Sequence, residues 1–290
     1  MKTLITGSTG LLGSEIVKAY QDRQMDFYYL KDGSVYKGFT KVDESNIVFD
    51  KIIHCAGNSS QVYDENNPNK IFEDNVNLVQ KIILRFAKRQ CPIFIFPSSI
   101  VVYGHGGGVE DRVPSPTTFY GISKLTAEKV INYYTQQKLI KGFNFRLSAL
   151  CSIEAKKGAV AHIINKLLNP ELPVLELYGA YPGTNKPYTY AGDVARFFRN
   201  FVGNQGYQPV YPAYNLCVND NITIDEIAYI AMHKLNIFKE VKFLGDEKLY
   251  PGDNKYLLAD SSLAKREFKW NPQFDTSERV INYVCNMSKP

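Results

Sequence analysis

The chain has 290 residues, of which 44% are hydrophobic and 22% charged, and its formal net charge is +5. This composition is typical of a soluble globular protein with one large or two moderate cores, and it contains neither a long basic run nor an 18-residue apolar stretch, so we expect no nucleic-acid partner and no membrane span. The N-terminus does not resemble a signal peptide, and the five cysteines are scattered without metal-ligand spacing, so we expect reduced thiols, no metal site and a cytoplasmic location.

The first half of the sequence alternates short apolar runs with longer amphipathic stretches. We predict strands at KTLIT, DFYYL, KIIHCAG, PIFIFPSS and FNFRLSAL, and helices at LLGSEIVKAYQDR, IFEDNVNLVQKIILRFAKR and YGISKLTAEKVINYYTQQ. Nearly continuous apolar strands joined by helices indicate a parallel sheet that is covered on both faces. The predicted fold class is therefore a doubly wound α/β fold, whose ligands lie at the carboxyl ends of the strands.

Beyond residue 150 the pattern is less regular. We predict helices at GAVAHIINKLL, TIDEIAYIAMHKL and SSLAKREF, and a strand at YNLCV that returns to the main sheet. The predicted organisation is a first domain over residues 1–150, a smaller lobe over 151–290, and a returning segment near 188–217. Only twenty residues, Asp32 to Lys51, lie between the second predicted strand and KIIHCAG, about half the length of a helix–strand–helix excursion, so this region must be trimmed.

Three glycines stand at a fixed spacing between the first strand and the first helix. They are Gly7, Gly10 and Gly13 of TGSTGLLG. In a strand–turn–helix unit such glycines allow a tight turn, the approach of a pyrophosphate to the helix N-terminus, and close packing of helix on strand. The spacing is one residue longer at the front than the commoner dinucleotide fingerprint, and by itself it also fits a purely structural turn.

A Tyr-x-x-x-Lys pair begins the third predicted helix. Tyr120 and Lys124 lie one helical turn apart, after an apolar strand that ends in Ser98 and Ser99. A lysine ammonium about 4 Å from a phenol would lower its pKa by roughly three units from ~10, toward neutrality. Tyr120 could then act as general acid–base while Ser99 hydrogen-bonds the substrate oxygen and a nicotinamide exchanges hydride with the attached carbon.

The same helix contains a second match to this spacing, Tyr134 and Lys138. With 20 tyrosines in the chain such a chance match is expected. We interpret Tyr134–Lys138 as a solvated helix face.

Together these motifs resemble the extended short-chain dehydrogenase/reductase family, in its branch of nucleotide-sugar epimerases, dehydratases and ketoreductases. The resemblance covers nearly the whole chain, through TGSTGLLG, IIHCAG, DNVN, PSSIVVYG, YGISK, FRLSAL, PYTYAGDVA and DSSLAKREFKWNP. It implies that residues 1–150 form an NAD(P)-binding Rossmann domain, that residues 151–290 bind a nucleotide-sugar, and that the protein is a homodimer.

The resemblance also implies the roles of individual residues. Cofactor contacts would come from Gly7, Gly10, Leu11, Leu12, Gly13, Ala56, Gly57 and Asn75. The catalytic residues would be Ser99, Tyr120 and Lys124, with Lys124 also holding the nicotinamide ribose. Two alternatives stay open: Asn75 could tie a loop, and Ala56 and Gly57 could reflect close packing only.

Several positions depart from the family pattern and bear on function. Ile100 and Val101 occupy the positions where dehydratases carry acidic residues, and the nearby Glu110 is expected in a surface loop, so a 4,6-dehydratase is disfavoured. Lys31 stands where NAD-binding members place an acid at the end of the second strand, which favours NADP(H) over NAD(H). Asp43 is expected to reach the adenine.

In the substrate lobe, Lys186 replaces the diphosphate-binding arginine of the family and loses its bidentate geometry. Ala149 replaces a frequent asparagine, and Tyr188 either lines the nucleotide pocket or packs in the core. Our first hypothesis is an NADPH-dependent ketoreductase of a nucleotide-linked 4-keto-6-deoxysugar. The alternatives are a nucleotide-sugar C4-epimerase that retains NAD, and a non-catalytic cofactor-binding protein.

Overall fold

The predicted alternation of strands and helices is present in the structure, a computed structural model that describes residues 1–60, 66–67, 69–87, 91–202, 212–245 and 255–289. In these ranges the strands are β1 (Thr3–Thr6), β2 (Phe27–Lys31), β3 (Ser34–Lys37), β4 (Thr40–Lys41), β5 (Lys51–His54), β6 (Ile93–Ser99), β7 (Gly106–Gly108), β8 (Lys141–Leu147), β9 (Ala149–Cys151), β10 (Val174–Leu177), β11 (Asn185–Lys186), β12 (Tyr188–Tyr190), β13 (Tyr214–Leu216), β14 (Ile222–Thr223), β15 (Glu240–Phe243) and β16 (Leu257–Ala259). The helices are α1 (Leu11–Gln21), α2 (Lys70–Phe72), α3 (Leu78–Phe86), α4 (Phe119–Gln136), α5 (Ala159–Leu168), α6 (Ala191–Asn200), α7 (Ile224–Leu235), α8 (Ser262–Phe268) and α9 (Ser277–Met287). A π-helical turn over Glu73–Asn77 joins α2 to α3, and a 3₁₀ turn over Ile100–Tyr103 follows β6.

Eight of these strands form one sheet in the order β13-β8-β6-β5-β1-β2-β3-β4. All neighbours from β13 to β2 are parallel, which confirms the predicted fold class. Leu4 of β1 packs in the hydrophobic cluster under α3 and α4, whereas the next residue, Ile5, packs in the cluster under α1, α6 and α8. Because helices cover both faces, both faces of the central strands are buried, which explains the nearly continuous apolar runs.

Two antiparallel hairpins complete the sheet beyond β2. The turn between β2 and β3 contains only Asp32 and Gly33, with φ of +48° and +73°, and Lys31 pairs directly with Ser34. Positive φ at both central residues is the two-residue hairpin turn whose twist matches that of the strands. The chain therefore reverses at once after β2, which accounts for the short segment between β2 and β5.

The second half of the chain forms a hydrophobic cluster of its own around α5, α7 and α9. Helix α6 and strand β13 instead join the first half, since Phe198 of α6 lies in the cluster under α1 and β13 pairs with β8. The boundary near residue 150 stays a prediction. Over the part of the chain that the structure describes, no helix has the length and apolarity of a membrane span.

A buried lysine joins the amino end of β5 to the end of α6. Lys51 is fully buried, and its ammonium donates hydrogen bonds to the carbonyl oxygens of Phe198 (3.0 Å), Arg199 (2.9 Å) and Phe201 (2.8 Å). Carbonyl groups at the end of a helix have no intrahelical partner, and burying them without a donor is costly. Lys51 satisfies three of them and thereby fixes α6 against the sheet.

We expect Lys51→Met to lower the free energy of unfolding by about 3 kcal/mol, because methionine preserves the packing but leaves three buried acceptors unpaired. Urea denaturation followed by circular dichroism measures this loss. The matched control is Lys41→Met, at an exposed position of β4. Equal stability of the two variants would contradict the role assigned to Lys51.

Candidate active site

The carboxyl ends of the central strands border a cavity of about 450 Å³. Its walls come from the turn after β1, the ends of β5, β6 and β8, the start of α4 and part of the second lobe. This position is where a doubly wound fold is expected to bind its ligand. Predicted site residues that line the cavity are Gly10, Leu11, Leu12, Gly13, Gly57, Ser99, Tyr120, Lys124, Lys186 and Tyr188.

The turn between β1 and α1 is built on contacts that exclude any side chain. Gly7 has φ +68°, and a Cβ there would lie 2.4 Å from the backbone nitrogen of Ala56. A Cβ at Gly13 would lie 2.0 Å from the carbonyl oxygen of Gly7. These contacts press the N-terminus of α1 against the ends of β1 and β5. Gly7 and Gly13 are therefore required by the fold itself.

Gly10 differs from the other two glycines of the motif. It caps α1 without a side-chain hydrogen bond, is exposed, and a Cβ there would meet only the carbonyl oxygen of Gly7, at 3.4 Å. The backbone N–H groups of the first helical turn are thus accessible from the cavity. A helix N-terminus without bulky side chains is a favourable site for a phosphate, so this turn fits the pyrophosphate of a dinucleotide.

Asn75 ties the loop after β5 to α4. Its side-chain oxygen accepts a hydrogen bond from the N–H of Asn58 (2.7 Å), and its amide donates to the carbonyl of Asn58 (2.9 Å) and to the hydroxyl of Ser123 on α4 (2.9 Å). The residue is 1% exposed and lies in the π-helical turn. These bonds match the alternative in which Asn75 shapes the loop, and its direct contact with the cofactor stays a prediction.

Ser99, Tyr120 and Lys124 line the cavity together. Ser99 ends β6 and its hydroxyl accepts a weak hydrogen bond from the N–H of Val101 (3.4 Å). Thr118 caps α4 by accepting a hydrogen bond from the N–H of Gly121, so that Tyr120 occupies the first turn of the helix. Lys124 is buried, and its ammonium donates to the carbonyl of Pro97 at 2.9 Å and lies 5.8 Å from the centre of the Tyr120 ring.

Burial dominates the ionisation of these groups. It raises the pKa of Tyr120 to about 12, while hydrogen bonding with Ser99 acts in the opposite direction. It lowers the pKa of Lys124 to about 8, and the neighbouring Glu128 carboxylate partly opposes this shift. The sequence expectation that Lys124 brings Tyr120 toward neutrality is wrong for this structure, because the ammonium is directed at Pro97 and the loss of water outweighs its charge.

Lys31 and Asp43 lie at the same edge of the sheet but are not among the described residues that line the cavity. Lys31 is exposed at the last position of β2. Asp43 follows β4, two strands further out, and its carboxylate accepts hydrogen bonds from the N–H (3.0 Å) and hydroxyl (2.8 Å) of Ser45. Hydrogen bonding from Ser45 lowers the pKa of Asp43. The carboxylate therefore stabilises a local turn, and its contact with adenine stays a prediction.

The second lobe contributes cations and a helix end to the cavity. Lys186 of β11 lies with its ammonium 6.0 Å from the ring centre of Tyr188, which is 2% exposed and belongs to the cluster of the lobe. The sequence reasoning missed Lys157 and Gly158, which line the cavity at the start of α5. A basic residue and a glycine before an amphipathic helix is a signal that could have identified them.

The polar lining of the cavity is positive. Among the described residues it contains Lys124, Lys157 and Lys186 and no aspartate, glutamate, histidine or arginine. Ile100 and Val101, which stand where dehydratases carry acidic residues, also line it. Glu110 does not: it is partly buried, contrary to the expected surface position, and accepts a hydrogen bond from the N–H of Asn215 at 2.7 Å. Such a lining suits an anionic ligand.

A dinucleotide-type glycine turn, a parallel sheet and a Ser–Tyr–Lys set at its carboxyl edge define an oxidoreductase-type enzyme of the short-chain dehydrogenase/reductase class. Residues 3–217 match the family model "NAD dependent epimerase/dehydratase family", and the chain belongs to this family. The predicted family, fold and enzyme class are thus confirmed.

Similar proteins include both reductases and epimerases. The chain is 23% identical to a dTDP-4-dehydro-6-deoxyglucose reductase of Escherichia coli, over 93% of this chain and 92% of that protein. RMD from Pseudomonas aeruginosa, solved with NADPH, has a TM-score of 0.79 at 15% identity and 98% coverage of both chains. A UDP-glucose 4-epimerase of Thermus thermophilus, solved with NAD, has a TM-score of 0.77 at 20% identity and 99% coverage of both chains. The fold is therefore shared by enzymes that bind either cofactor.

Two substitutions in the glycine turn distinguish a glycine needed for ligand binding from one needed for stability of the fold. We expect Gly10→Ala to weaken NADPH binding at least about tenfold with little change in Tm, because the methyl group occupies the open side of the helix end. Gly13→Ala should lower stability by about 1–3 kcal/mol, because it overlaps the carbonyl of Gly7. Fluorescence titration with NADPH and thermal unfolding measure the two effects.

Unchanged NADPH binding in Gly10→Ala would contradict the placement of the pyrophosphate at this turn. The matched control is Gly38→Ala, since Gly38 lies in the β3–β4 turn and a Cβ there meets no atom within 4 Å. Its positive φ of +58° makes that substitution mildly destabilising, but it should leave NADPH binding unchanged.

Proposed function

We propose that this protein is an NADPH-dependent 4-ketoreductase of a nucleotide-linked 4-keto-6-deoxysugar. The observation that carries the proposal is the polar lining of the cavity, where the Ser99–Tyr120–Lys124 set is present and no described residue is a carboxylate. A reductase needs one proton donor beside the carbonyl oxygen, whereas elimination of water needs further acid–base groups. The name of the reductase relative from Escherichia coli supports the same substrate class.

The proposed roles follow from the positions of the three side chains. The nicotinamide, when bound, supplies the hydride that reduces the carbonyl carbon. Ser99 hydrogen-bonds the carbonyl oxygen, and the hydroxyl of Tyr120 donates its proton to that oxygen as the alkoxide forms. A phenol whose pKa is raised to about 12 by burial is fully protonated at neutral pH, which suits a general acid in the direction of reduction. Lys124 stabilises the phenolate that remains.

The residues that the second lobe contributes to the cavity are suited to bind the diphosphate of a nucleotide-linked substrate. Lys157, Gly158 and Lys186 line the part of the cavity formed by the second lobe. The start of α5 has no side-chain cap, so its N–H groups are available to phosphate oxygens. Two lysines beside a helix N-terminus give the charge and donors that a diphosphate requires.

NADPH is preferred in this proposal because of the end of β2. The chain turns back directly after Lys31, and the first acid, Asp32, lies in the turn with φ +48°. An ammonium at this position attracts a 2′-phosphate, whereas the carboxylate typical of NAD-binding sites is replaced. Gly10, Leu11 and Leu12 would meet the pyrophosphate, and Gly57 the adjacent part of the cofactor.

The same proposal includes a cytoplasmic homodimer formed through α3 and α4. All five cysteines are free thiols, which is typical of a reducing compartment. Large hydrophobic side chains are exposed on the two helices, at Leu84, Phe119, Ile122 and Tyr133. The helices pack side by side, so these residues offer an extended apolar surface to a second copy.

The test of the catalytic assignment is Tyr120→Phe. We expect this variant to lose at least about 10³-fold in kcat, because it removes the proton donor, while NADPH binding changes little. The assay follows the loss of NADPH absorbance with dTDP-4-dehydro-6-deoxyglucose as substrate. The matched control is Tyr134→Phe, at the second Tyr-x-x-x-Lys match, which should retain full activity. The solvated face expected there is wrong, because Tyr134 is buried and Lys138 lies beyond the end of α4.

Retained turnover in Tyr120→Phe would overturn the catalytic role. If the unmodified protein instead releases stoichiometric NAD on denaturation and interconverts UDP-glucose and UDP-galactose, the reductase is replaced by the C4-epimerase. Binding of NADPH with no turnover in either assay would favour the non-catalytic alternative.

The test of cofactor preference is Lys31→Ala. We expect the ratio of NADPH to NADH affinity to fall about tenfold, because one charged contact to the 2′-phosphate is removed and NADH makes no such contact. Fluorescence titration with each nucleotide measures the ratio. Lys41→Ala, at an exposed position two strands away, should leave the ratio unchanged. An equal loss of affinity for both nucleotides in Lys31→Ala would contradict the assignment.

A further inference from the structure

A buried ion pair lies behind the catalytic residues. The side chains of Glu128 on α4 and Arg146 on β8 are 2% and 3% exposed. Arg146 donates from Nη2 to one carboxylate oxygen of Glu128 at 2.7 Å and from Nε to the other at 3.0 Å. The hydroxyl of Ser98 on β6 donates to Glu128 Oε1 at 2.5 Å. The carboxylate thus joins the helix to two strands of the sheet.

Three consecutive residues of β6 link α4 to the cavity. The carbonyl of Pro97 accepts the hydrogen bond of Lys124, the side chain of Ser98 bonds Glu128, and Ser99 enters the cavity. Lys124 and Glu128 are one helical turn apart, so the two bonds fix α4 to β6 at two points. The separation of Ser99 from the groups on α4 depends on this attachment.

The pair is also joined to the strands behind it. The guanidinium of Arg146 lies 4.7 Å from the ring centre of Tyr103, whose hydroxyl donates to the side chain of Asn215 at 2.8 Å. Asn215 in turn donates to the carbonyls of Gly108 (3.1 Å) and Asp260 (3.0 Å). The guanidinium of Arg146 therefore packs on a tyrosine ring that neutral hydrogen bonds hold in place.

We propose that Glu128 is a positioning residue, which together with Ser98 and Arg146 holds α4 in the register that brings Tyr120 and Lys124 to Ser99. This inference rests on the proposed function and adds a residue that contacts neither substrate nor cofactor. A buried ion pair is weak evidence of stability, because well-packed apolar residues often replace it without loss. Its value here is the fixed geometry that a Ser–Tyr–Lys set requires.

The negative charge of Glu128 also affects the protonation of Lys124. The titratable groups that face Lys124 are His54 and Cys55 from the end of β5, and Tyr120 and Glu128 from its own helix. Burial lowers the pKa of His54 to about 3 and raises those of Cys55 and Tyr120 to about 12, so these three are neutral at pH 7. Glu128, which is paired with Arg146, is the negatively charged residue among these four neighbours, and its charge favours the ammonium form of Lys124.

The test compares Glu128→Gln and Ser98→Ala with Thr135→Val in the full-length protein. Thr135 also ties α4 to β8, since its hydroxyl accepts from the N–H of Gly142 at 3.1 Å, but it lies two turns beyond Glu128. We expect kcat to fall about 100-fold in Glu128→Gln and about tenfold in Ser98→Ala, with KM for NADPH nearly unchanged. Thr135→Val should lower Tm without changing kcat.

The pH profile gives a readout that a merely structural role would not move. Glu128 raises the pKa of Lys124, so its neutralisation lowers that pKa and Lys124 loses its charge at lower pH. The alkaline loss of kcat should therefore move to lower pH in Glu128→Gln and stay in place in Ser98→Ala. The assay uses whichever of the two sugar-nucleotide reactions the unmodified protein catalyses.

Ser98→Ala removes one hydrogen bond to Glu128 but keeps the ion pair with Arg146. This variant therefore still tests the positioning role if Glu128→Gln does not fold. Effects on kcat no larger than those of Thr135→Val, together with an unmoved pH profile, would overturn the proposal. Tyr120→Phe separates this failure from that of the function. If Tyr120→Phe is inactive while Ser98→Ala and Glu128→Gln are fully active, only the role of Glu128 is wrong.

Discussion

The absence of side chains at Gly7 and Gly13 is the constraint on which the rest of the site depends. A single methyl group at either position would overlap backbone atoms of the neighbouring turn. Only with both glycines does α1 begin directly at the carboxyl end of β1, beside β5. The N–H groups of its first turn then face the same cavity as the ends of β6 and β8, where a charged ligand gains most from them.

Around that edge the protein uses two kinds of buried charge for different purposes. Lys51, at the amino end of β5, satisfies the carbonyls that end α6 and is part of the scaffold. Lys124, at the carboxyl edge, has a single backbone acceptor and a pKa lowered to about 8 by burial. Burial lowers the pKa of Lys51 as well, to about 7, so the two lysines differ in their partners and position: Lys51 bonds three carbonyl groups inside the scaffold, whereas Lys124 bonds one and lines the cavity.

The outer part of the sheet shows how a shared fold is adapted. The β2–β3–β4 hairpins take the place of a helix–strand–helix crossover, so the adenine side of the predicted cofactor site is formed by a two-residue turn. Lys31, the last residue of β2, is exposed to solvent, and the chain reverses directly after it into β3. The second lobe supplies Lys157 and Lys186 from the other side, and the cavity between these elements has cations and no described carboxylate.

The sequence by itself determined the parallel sheet and the glycine turn through local spacing and apolar runs, and the resemblance of its motifs to a known family identified the family and implied the Ser99–Tyr120–Lys124 set. It also predicted that the segment after β2 is trimmed. Only the tertiary structure decided the interactions between residues that are distant in the sequence. Asn75 hydrogen-bonds Asn58 and α4, Glu110 accepts a hydrogen bond from Asn215, and Glu128 forms an ion pair with Arg146. The ionisation of Tyr120 was mispredicted for the same reason, since desolvation depends on every neighbour in space and the sequence shows only those along the chain.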